Sequence, residues 1–320
     1  MAKDARNSSR SEASYDLVVA GEINPDLLLR GPFALRFGQS EEIVEFALLT
    51  VGSSSVILAC GAARLGLRVA FVGVCGDDLF GRFMLAEMSR RGIDVSHVRV
   101  DPAGRTGLSV ILERAGDRTI LTYPGLIGAL RAEDVPDDLL RQARHLHVSS
   151  FFLQTALQPG LASLFARART AGLTTSLDPN WDPSQAWHGV QELLPLVDAL
   201  LPNEAEARAI TGAASAEEAA EMLSHACPVV AIKMGARGAL ARSGEELVRA
   251  SAPDVTVVDT VGAGDTFDAG FLYGFLHGWP LAQTLRLATV CGSLSARAAG
   301  GTAAQPTLDE AMAYVHRLAG

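Results

Sequence analysis

The stretch "DTVGAGDTFDAGFL", residues 259–272, places two glycines, Gly262 and Gly264, directly ahead of an apolar, helix-like run, with one acid, Asp265, at the junction. A helix N-terminus exposes several unpaired N–H groups and carries roughly half a positive charge. Glycine there lets the backbone approach an anion closely. The stretch reads as an anion cradle with a carboxylate beside it. A plain glycine-rich turn with Asp265 as a helix cap fits the same residues. Two familiar phosphate loops do not fit. A Walker A loop needs Gly-Lys-Ser/Thr, and no lysine follows these glycines; a dinucleotide fingerprint needs G-x-G-x-x-G after the first strand, where "GEINPD" stands.

Strand and helix signals alternate through the rest of the chain. "YDLVVAGEI" (residues 15–23) reads as a buried strand, "VILACGAARLG" (56–66) as a helix closed by glycine, "LRVAFVGVCG" (67–76) as a strand and "LFGRFMLAEMSRRG" (79–92) as a second helix. The rhythm resumes with "HLHVSS", "LASLFARARTAG", "LTTSLDPN", "VQELLPLVDA" and "ALLPNEAEARAITG", and "PVVAIKMG" (228–235) is a further strand. The last part is helical over 264–276, 281–299 and 308–318. The pattern predicts an α/β fold, a mostly parallel sheet covered by helices on both faces. Residues 27–51 and 98–123 break it. There "GLSVILE" and "RTILTY" flank "RAGD", a hairpin-like turn, so these segments are expected to be antiparallel strands forming a small lid.

The bulk numbers narrow the function. The chain has 320 residues, 48% hydrophobic and 20% charged, enough for a full core. A net charge of −9 with no basic block excludes an extended nucleic-acid surface, so any anion must be held by a local site. No apolar run reaches the ~18 residues of a membrane span. Cys60, Cys75, Cys227 and Cys291 show no C-x-x-C spacing, which fits a reduced, cytoplasmic compartment. Residues 1–14 are polar without an apolar stretch, an expected disordered tail before one domain over 15–320. Lysine occurs only as Lys3 and Lys233, a bias read as compositional, not functional.

Other residues invite a chemical reading. "SLDPNWDP" (176–183) ends a strand with Asp178 and Asn180, where parallel sheets bind ligands, although an Asp-Pro turn accounts for it equally. Asn24 and Asp26, two apart after the first strand, face one side if extended. His145 and His147 share a strand face but lack a third metal ligand. The serines of "GSSS" and "CGSLS" lack a G-x-S-x-G elbow, which speaks against a hydrolase.

Four motifs together resemble the ribokinase-like carbohydrate kinases, the PfkB family, which also includes nucleoside kinases. They are "DTVGAGD", the D-T-x-G-A-G-D signature; "ARLGLRVAFVGVCGDDLFGRFM" (63–84), the A-R-L-G…G-x-D-x-F-G signature; "PNEAEA" (202–207), an N-x-x-E motif; and "IKMGARGA" (232–239), a K-x-G-x-x-G strand-turn. The resemblance implies a three-layer α/β/α fold with a small β lid, and ATP-dependent phosphorylation of a sugar hydroxyl. It implies Asp265 as the base, with Gly262, Ala263 and Gly264 as the anion hole. Asn203 and Glu206 would organise Mg2+ and its waters; Lys233, Gly235, Gly238 and Asn203 would border the nucleotide. Asp259 and the carbonyl of Val261 would sit at a monovalent-cation site, for potassium. Asn24, Asp26, Gly52, Ser53, Asp178 and Asn180 would face the sugar. A homodimer formed through the lid is also implied.

One motif departs. The family's G-G-x-x-x-N falls on "VGSSSV" (51–56), with Val51 for the first glycine and Val56 for the sugar-binding asparagine. Val56 cannot hydrogen-bond through its side chain. Either the substrate is less polar, or the motif is shifted and a serine takes over. A nucleoside kinase on the same scaffold is the second reading, and a catalytically silent sugar-binding paralogue the third. ATP consumption across sugars and nucleosides separates them.

Overall fold

The structure is a computed structural model and describes residues 13–33, 37–114 and 117–317. Its strands are β1 (Leu17–Ala20), β2 (Pro25–Arg30), β3 (Phe46–Val51), β4 (Val69–Gly76), β5 (Val98–Asp101), β6 (Leu108–Arg114) and β7 (Asp117–Tyr123), followed by β8 (His145–Val148), β9 (Thr174–Leu177), β10 (Ala199–Leu200), β11 (Val229–Lys233), β12 (Ala239–Ser243) and β13 (Glu246–Ala250). Its helices are α1 (Ser54–Arg64), α2 (Leu79–Arg90), α3 (Asp137–Arg141), α4 (Gln158–Thr170), α5 (Glu204–Thr211), α6 (Ala216–Ser224), α7 (Ala263–Leu276), α8 (Leu281–Ser295) and α9 (Leu308–Arg317).

Nine strands form the main sheet in the order β13-β12-β11-β10-β9-β8-β1-β4-β5. The seven from β11 to β5 run parallel; β12 and β13 add an antiparallel hairpin at one edge. Every residue of β1 is buried, and the pleat sends alternate side chains to opposite faces. Leu17 and Val19 enter a core with α1, α2, α7, α8 and α9; Val18 and Ala20 enter a second core with α3 to α6. The sheet is therefore the middle layer of three, which is why its strands read as unbroken apolar runs.

The chain leaves β1 toward β4 on one side and places β8 on the other. This reversal of strand order opens a crevice at the carboxyl ends of the strands, the usual ligand position in such sheets. The loops after β1, β8 and β9 meet there and carry Glu22, Ser150 and Asp178.

A second sheet, ordered β3-β2-β6-β7, stands beside the first. β2 pairs parallel with β6; the other two pairings are antiparallel. Arg114 faces Asp117 across the expected turn, whose Ala115 and Gly116 lie outside the described residues, as does most of the expected tail over 1–14. Two expectations need correction, and one hairpin was missed. Residues 98–101 are β5, paired parallel with β4 from Gly73↔Val98 onward, so this part of 98–123 extends the main sheet and not the lid. "VQELLPLVDA" forms only a 3₁₀ turn, Gln191–Leu196, because Pro195 inside it cannot continue a helix. The β12–β13 hairpin went unread, since its charged residues hide the alternation. No helix among the described residues is long and apolar enough to cross a membrane.

Candidate active site

Helix α7 starts where the quoted stretch predicts. Gly262 is its N-cap with φ 73, and a Cβ there would lie 2.6 Å from the Cα of Gly301. Both observations require glycine. Ala263 and Gly264 open the first turn, and Asp265 follows, buried at 7% exposure. Asp268, three residues on, shares the helix face of Asp265 and has no exposed surface.

Lys233, the last residue of β11, points its ammonium into this face. Its Nζ lies 2.8 Å from Asp178 Oδ2 and 3.1 Å from Asp268 Oδ2. Asp178, Asp265 and Asp268 each bring a carboxylate oxygen within 4.8 Å of the others. That spacing would suit a metal, but the lysine is already the cation of the cluster. Burial works against the charged form of Lys233, yet Asp178, Asp268 and Glu206 hold its pKa above the ordinary range. Burial and then the Asp178 charge push Asp265 up to about 7, while Lys233 and a hydrogen bond from Ser54 oppose the rise. Asp268 is raised by burial and hydrogen-bonds Asp178. Asp178 resists burial through Lys233 and stays below the usual carboxylate range. The cluster thus holds Lys233 between Asp178 and Asp268, with burial favouring the protonated form of Asp268 and Asp265 poised near its midpoint at neutral pH.

Asn203 and Glu206 clasp each other at the start of α5. Glu206 N donates to Asn203 Oδ1 (3.0 Å), and Asn203 donates to Glu206 through N (2.8 Å) and Nδ2 (2.6 Å). The N-x-x-E motif is thus first a capping box. Burial, then Asp178, lifts Glu206 to about 7. Of the two glycines expected at the nucleotide, Gly235 is exposed and Gly238 is packed so that a Cβ would meet Ala250 O at 2.0 Å. Asp259 accepts from Val261 N (2.9 Å) and Gly300 N (2.8 Å). Arg118, from the lid strand β7, stands 3.9 Å from Asp259 and donates to Thr260 Oγ1 at 3.3 Å.

The opposite wall is built from serines around Glu22. Ser53 Oγ (3.0 Å), Ser55 N (3.2 Å) and Ser150 Oγ (3.0 Å) donate to Glu22 Oε1, and Ser55 Oγ (2.6 Å) to Oε2. Asp26 begins the lid strand β2 under Gly52, where a Cβ would sit 2.2 Å from Asp26 Oδ1. Burial and then the charges of Asp265 and Asp259 push Asp26 up to about 7, so it lies within reach of the Asp265 field; Arg118 opposes the rise. Asn24 donates to Ser109 of the lid at 3.3 Å.

The structure therefore gathers Asp265, the 262–264 loop, Lys233, Asp178, Asn180, Asp26, Gly52 and Ser53 around one crevice. Two expectations change. Lys233, expected beside the nucleotide, is spent on the carboxylates. Asp178, expected to touch the sugar, is fully buried with its oxygens taken by Asn180 and Lys233, so it acts from behind. The motif shift is resolved as well. Ser53 has φ 68, a region that favours glycine, so the second family glycine falls on Ser53 and the first on Gly52. The asparagine position is then Ile57, packed against Gly262 and Gly301. Val56 is entirely buried in the core. His145 and His147 take part in a buried hydrogen-bond chain through Ser176 to Ser149 and stay neutral, mainly through burial.

Sequence reading missed Glu22, Ser54, Asp268 and Arg118. Only Asp268 left a signal: an acid one turn after Asp265 in an otherwise apolar helix.

A family model described as pfkB family carbohydrate kinase matches residues 58–308. The chain belongs to this family. This pfkB kinase is 31% identical over 299 residues to a 2-dehydro-3-deoxygluconokinase of Bacillus subtilis, covering 88% of the chain and 91% of the relative. Its fold matches an Arabidopsis thaliana ribokinase complexed with ribose and ATP at TM-score 0.83 and 24% identity, over 94% of the chain and 99% of that structure. An adenosine kinase from Sinorhizobium meliloti matches at TM-score 0.82 and 25% identity, over 96% and 100%. The pfkB kinase thus has the ribokinase-like fold and is a carbohydrate kinase.

Proposed function

We propose that this carbohydrate kinase transfers the γ-phosphoryl group of ATP to a hydroxyl of a small sugar or sugar derivative, with Asp265 as general base. The observation that carries the reading is a carboxyl held near pKa 7 in the first turn of α7, beside a glycine-bounded helix N-terminus. Asp265 accepts the proton of the acceptor hydroxyl at its carboxylate, a task for which a pKa near the working pH is best. The backbone amides of residues 262–264 and the helix dipole face the negative charge of the transferred group, the main demand of phosphoryl transfer. Lys233 keeps the surrounding carboxylates from raising Asp265 further. Asp26 and Asn180 supply acceptors for sugar hydroxyls. The lid closes the crevice against water, the competing acceptor.

Asn203 and Glu206 carry hard oxygen atoms, now engaged with each other, a donor set that would fit a hydrated Mg2+. Bound there, the ion would neutralise phosphate charge. Asp259 and the Val261 carbonyl fit a potassium ion less well, because Arg118 already compensates Asp259. The nucleoside reading rested on a missing asparagine; in the corrected register that position is the apolar Ile57, so a nucleoside kinase stays the second reading. A homodimer through the lid is supported by the apolar surface of the lid sheet, where Phe46, Ile120, Leu121 and Tyr123 are exposed.

The deciding experiment measures ATP consumption by purified protein across sugars, sugar acids and nucleosides. Turnover on one sugar class, lost in Asp265→Asn, is expected. Turnover on nucleosides alone, or binding of a sugar without turnover, sinks the reading.

A further inference from the structure

A positively charged concavity lies away from the crevice. It is a cleft of about 350 Å³ lined by Cys60, Arg64, Arg90, Arg91, Thr302 and Gln305, with Ala303 at its rim. Three guanidiniums converge on it from different elements. Arg64 ends α1, Arg90 ends α2, and Arg91 is the C-cap of α2. Glu87 pairs with Arg90 at 2.7 Å and with Arg91, and Glu310 lies within the field of Arg64. Arg64 has no ion pair among the described residues; its Nε donates to Gln305 O, which leaves the terminal nitrogens for another acceptor. Arg297 adds a further positive charge beside Glu310. The balance, Arg64, Arg90, Arg91 and Arg297 against Glu87 and Glu310, is a surplus of positive charge in a protein whose net charge is −9.

Arginines at helix C-termini are ordinarily caps, and the helix dipole favours them there. Capping does not explain why three of them border one open cleft together with a hydroxyl. Thr302 Oγ1 accepts from Arg91 at 3.3 Å and can donate in turn. Guanidiniums with a hydroxyl donor are the groups that recognise phosphate oxygens. The volume is at the lower end for small-molecule sites, more than a bare ion needs.

We infer that this cleft binds a phosphate-bearing small molecule, through Arg64, Arg90, Arg91 and Thr302, at a site separate from the phosphoryl-transfer crevice. Its wall leads to that crevice. Gly300 donates to Asp259, Gly301 packs against Gly262, and Gln305 Nε2 donates to Thr266 of α7 (3.0 Å) and to Ile57 O (2.8 Å). A ligand that draws Arg91 or Thr302 thus pulls on the segment that supports the anion loop.

The test is calorimetric titration of the whole protein with inorganic phosphate and with glycerol 3-phosphate, each repeated in excess of a non-hydrolysable ATP analogue with Mg2+. Binding should persist with the analogue present and weaken at least about tenfold in Arg64→Gln/Arg90→Gln, since charged hydrogen bonds are lost. Ala303→Glu, which sets a carboxylate at the rim, should abolish it while leaving the melting temperature unchanged, and serves if the double variant folds poorly. Tighter binding of the ester identifies an organic phosphate as the ligand, and equal binding a free phosphate; either supports the site. No binding to the wild type, full displacement by the analogue, or unaltered binding in both variants overturns the proposal. The readout is binding, so it does not depend on which sugar the kinase uses.

Discussion

The two walls of the crevice are held together by different means. On the wall proposed to face phosphate, a lysine and three aspartates are locked by charge: Lys233 sits between Asp178 and Asp268, with Asp265 alongside. On the acceptor wall one carboxylate, Glu22, is held by neutral donors, the hydroxyls of Ser53, Ser55 and Ser150. Buried charges are costly unless paired, so the first wall tolerates little change. Hydroxyl donors are individually worth less, so the second wall should tolerate more change. The departure of "VGSSSV" from the family motif falls on that second wall.

The sharpest way to break this contrast is Asp265→Asn. It keeps the shape and removes the proton acceptor, so kcat should fall about 10²–10⁴-fold with ATP affinity little changed. In the wild type, kcat/KM should rise with pH through about 7, because the proposed base acts in its ionised form. The stability sign is opposite. A carboxyl raised to about 7 when folded favours the folded state most at pH below its unfolded pKa, and that stability is lost as pH rises to about 7. Asp265→Asn should therefore melt higher than wild type above pH 7. A near-normal kcat with chemistry rate-limiting removes Asp265 from the role of base.

Lys233→Met tests the phosphate wall by stability. It leaves Asp178 and Asp268 buried without their cation, a loss of about 3–5 kcal/mol in denaturant unfolding. Lys233→Arg should not restore the wild-type midpoint, since a planar fork does not replace a compact ammonium. Wild-type unfolding of Lys233→Met would show that the charge lock is dispensable.

Asp26→Ala probes the acceptor wall. One charged hydrogen-bond partner is worth about 1.5–3 kcal/mol, so kcat/KM for the sugar should drop roughly ten- to a hundred-fold while ATP affinity holds. An equal loss toward ATP and sugar would mean that Asp26 supports the fold of the lid instead.

Val56→Asn has the smallest expected effect and the finest discrimination. Val56 is fully buried, so the amide should cost about 1–3 kcal/mol and leave the sugar profile unchanged. A stable variant with broadened sugar use would restore the family asparagine to this position and overturn the shifted register.

What the sequence by itself determined is local. The glycines, the acid and the apolar run of 259–272 specify a helix N-terminus with a carboxylate in its first turn, because φ at Gly262 and the periodicity of α7 depend on near neighbours. The β-α rhythm specifies a parallel sheet, since burial on both faces leaves its mark on each strand separately. What the sequence could not show depends on distance through space. Glu22 is legible only once α1 and the loop after β8 bring three serines to it from residues 53, 55 and 150. The sparse use of lysine looked like bias of composition, yet Lys233 lies in the crevice because β11 ends beside α7. The register of "VGSSSV" was fixed by one backbone angle, φ 68 at Ser53, that no residue type announces. Tertiary structure decides such matters because a buried polar group takes its role from its partners, and the partners here are tens to hundreds of residues away.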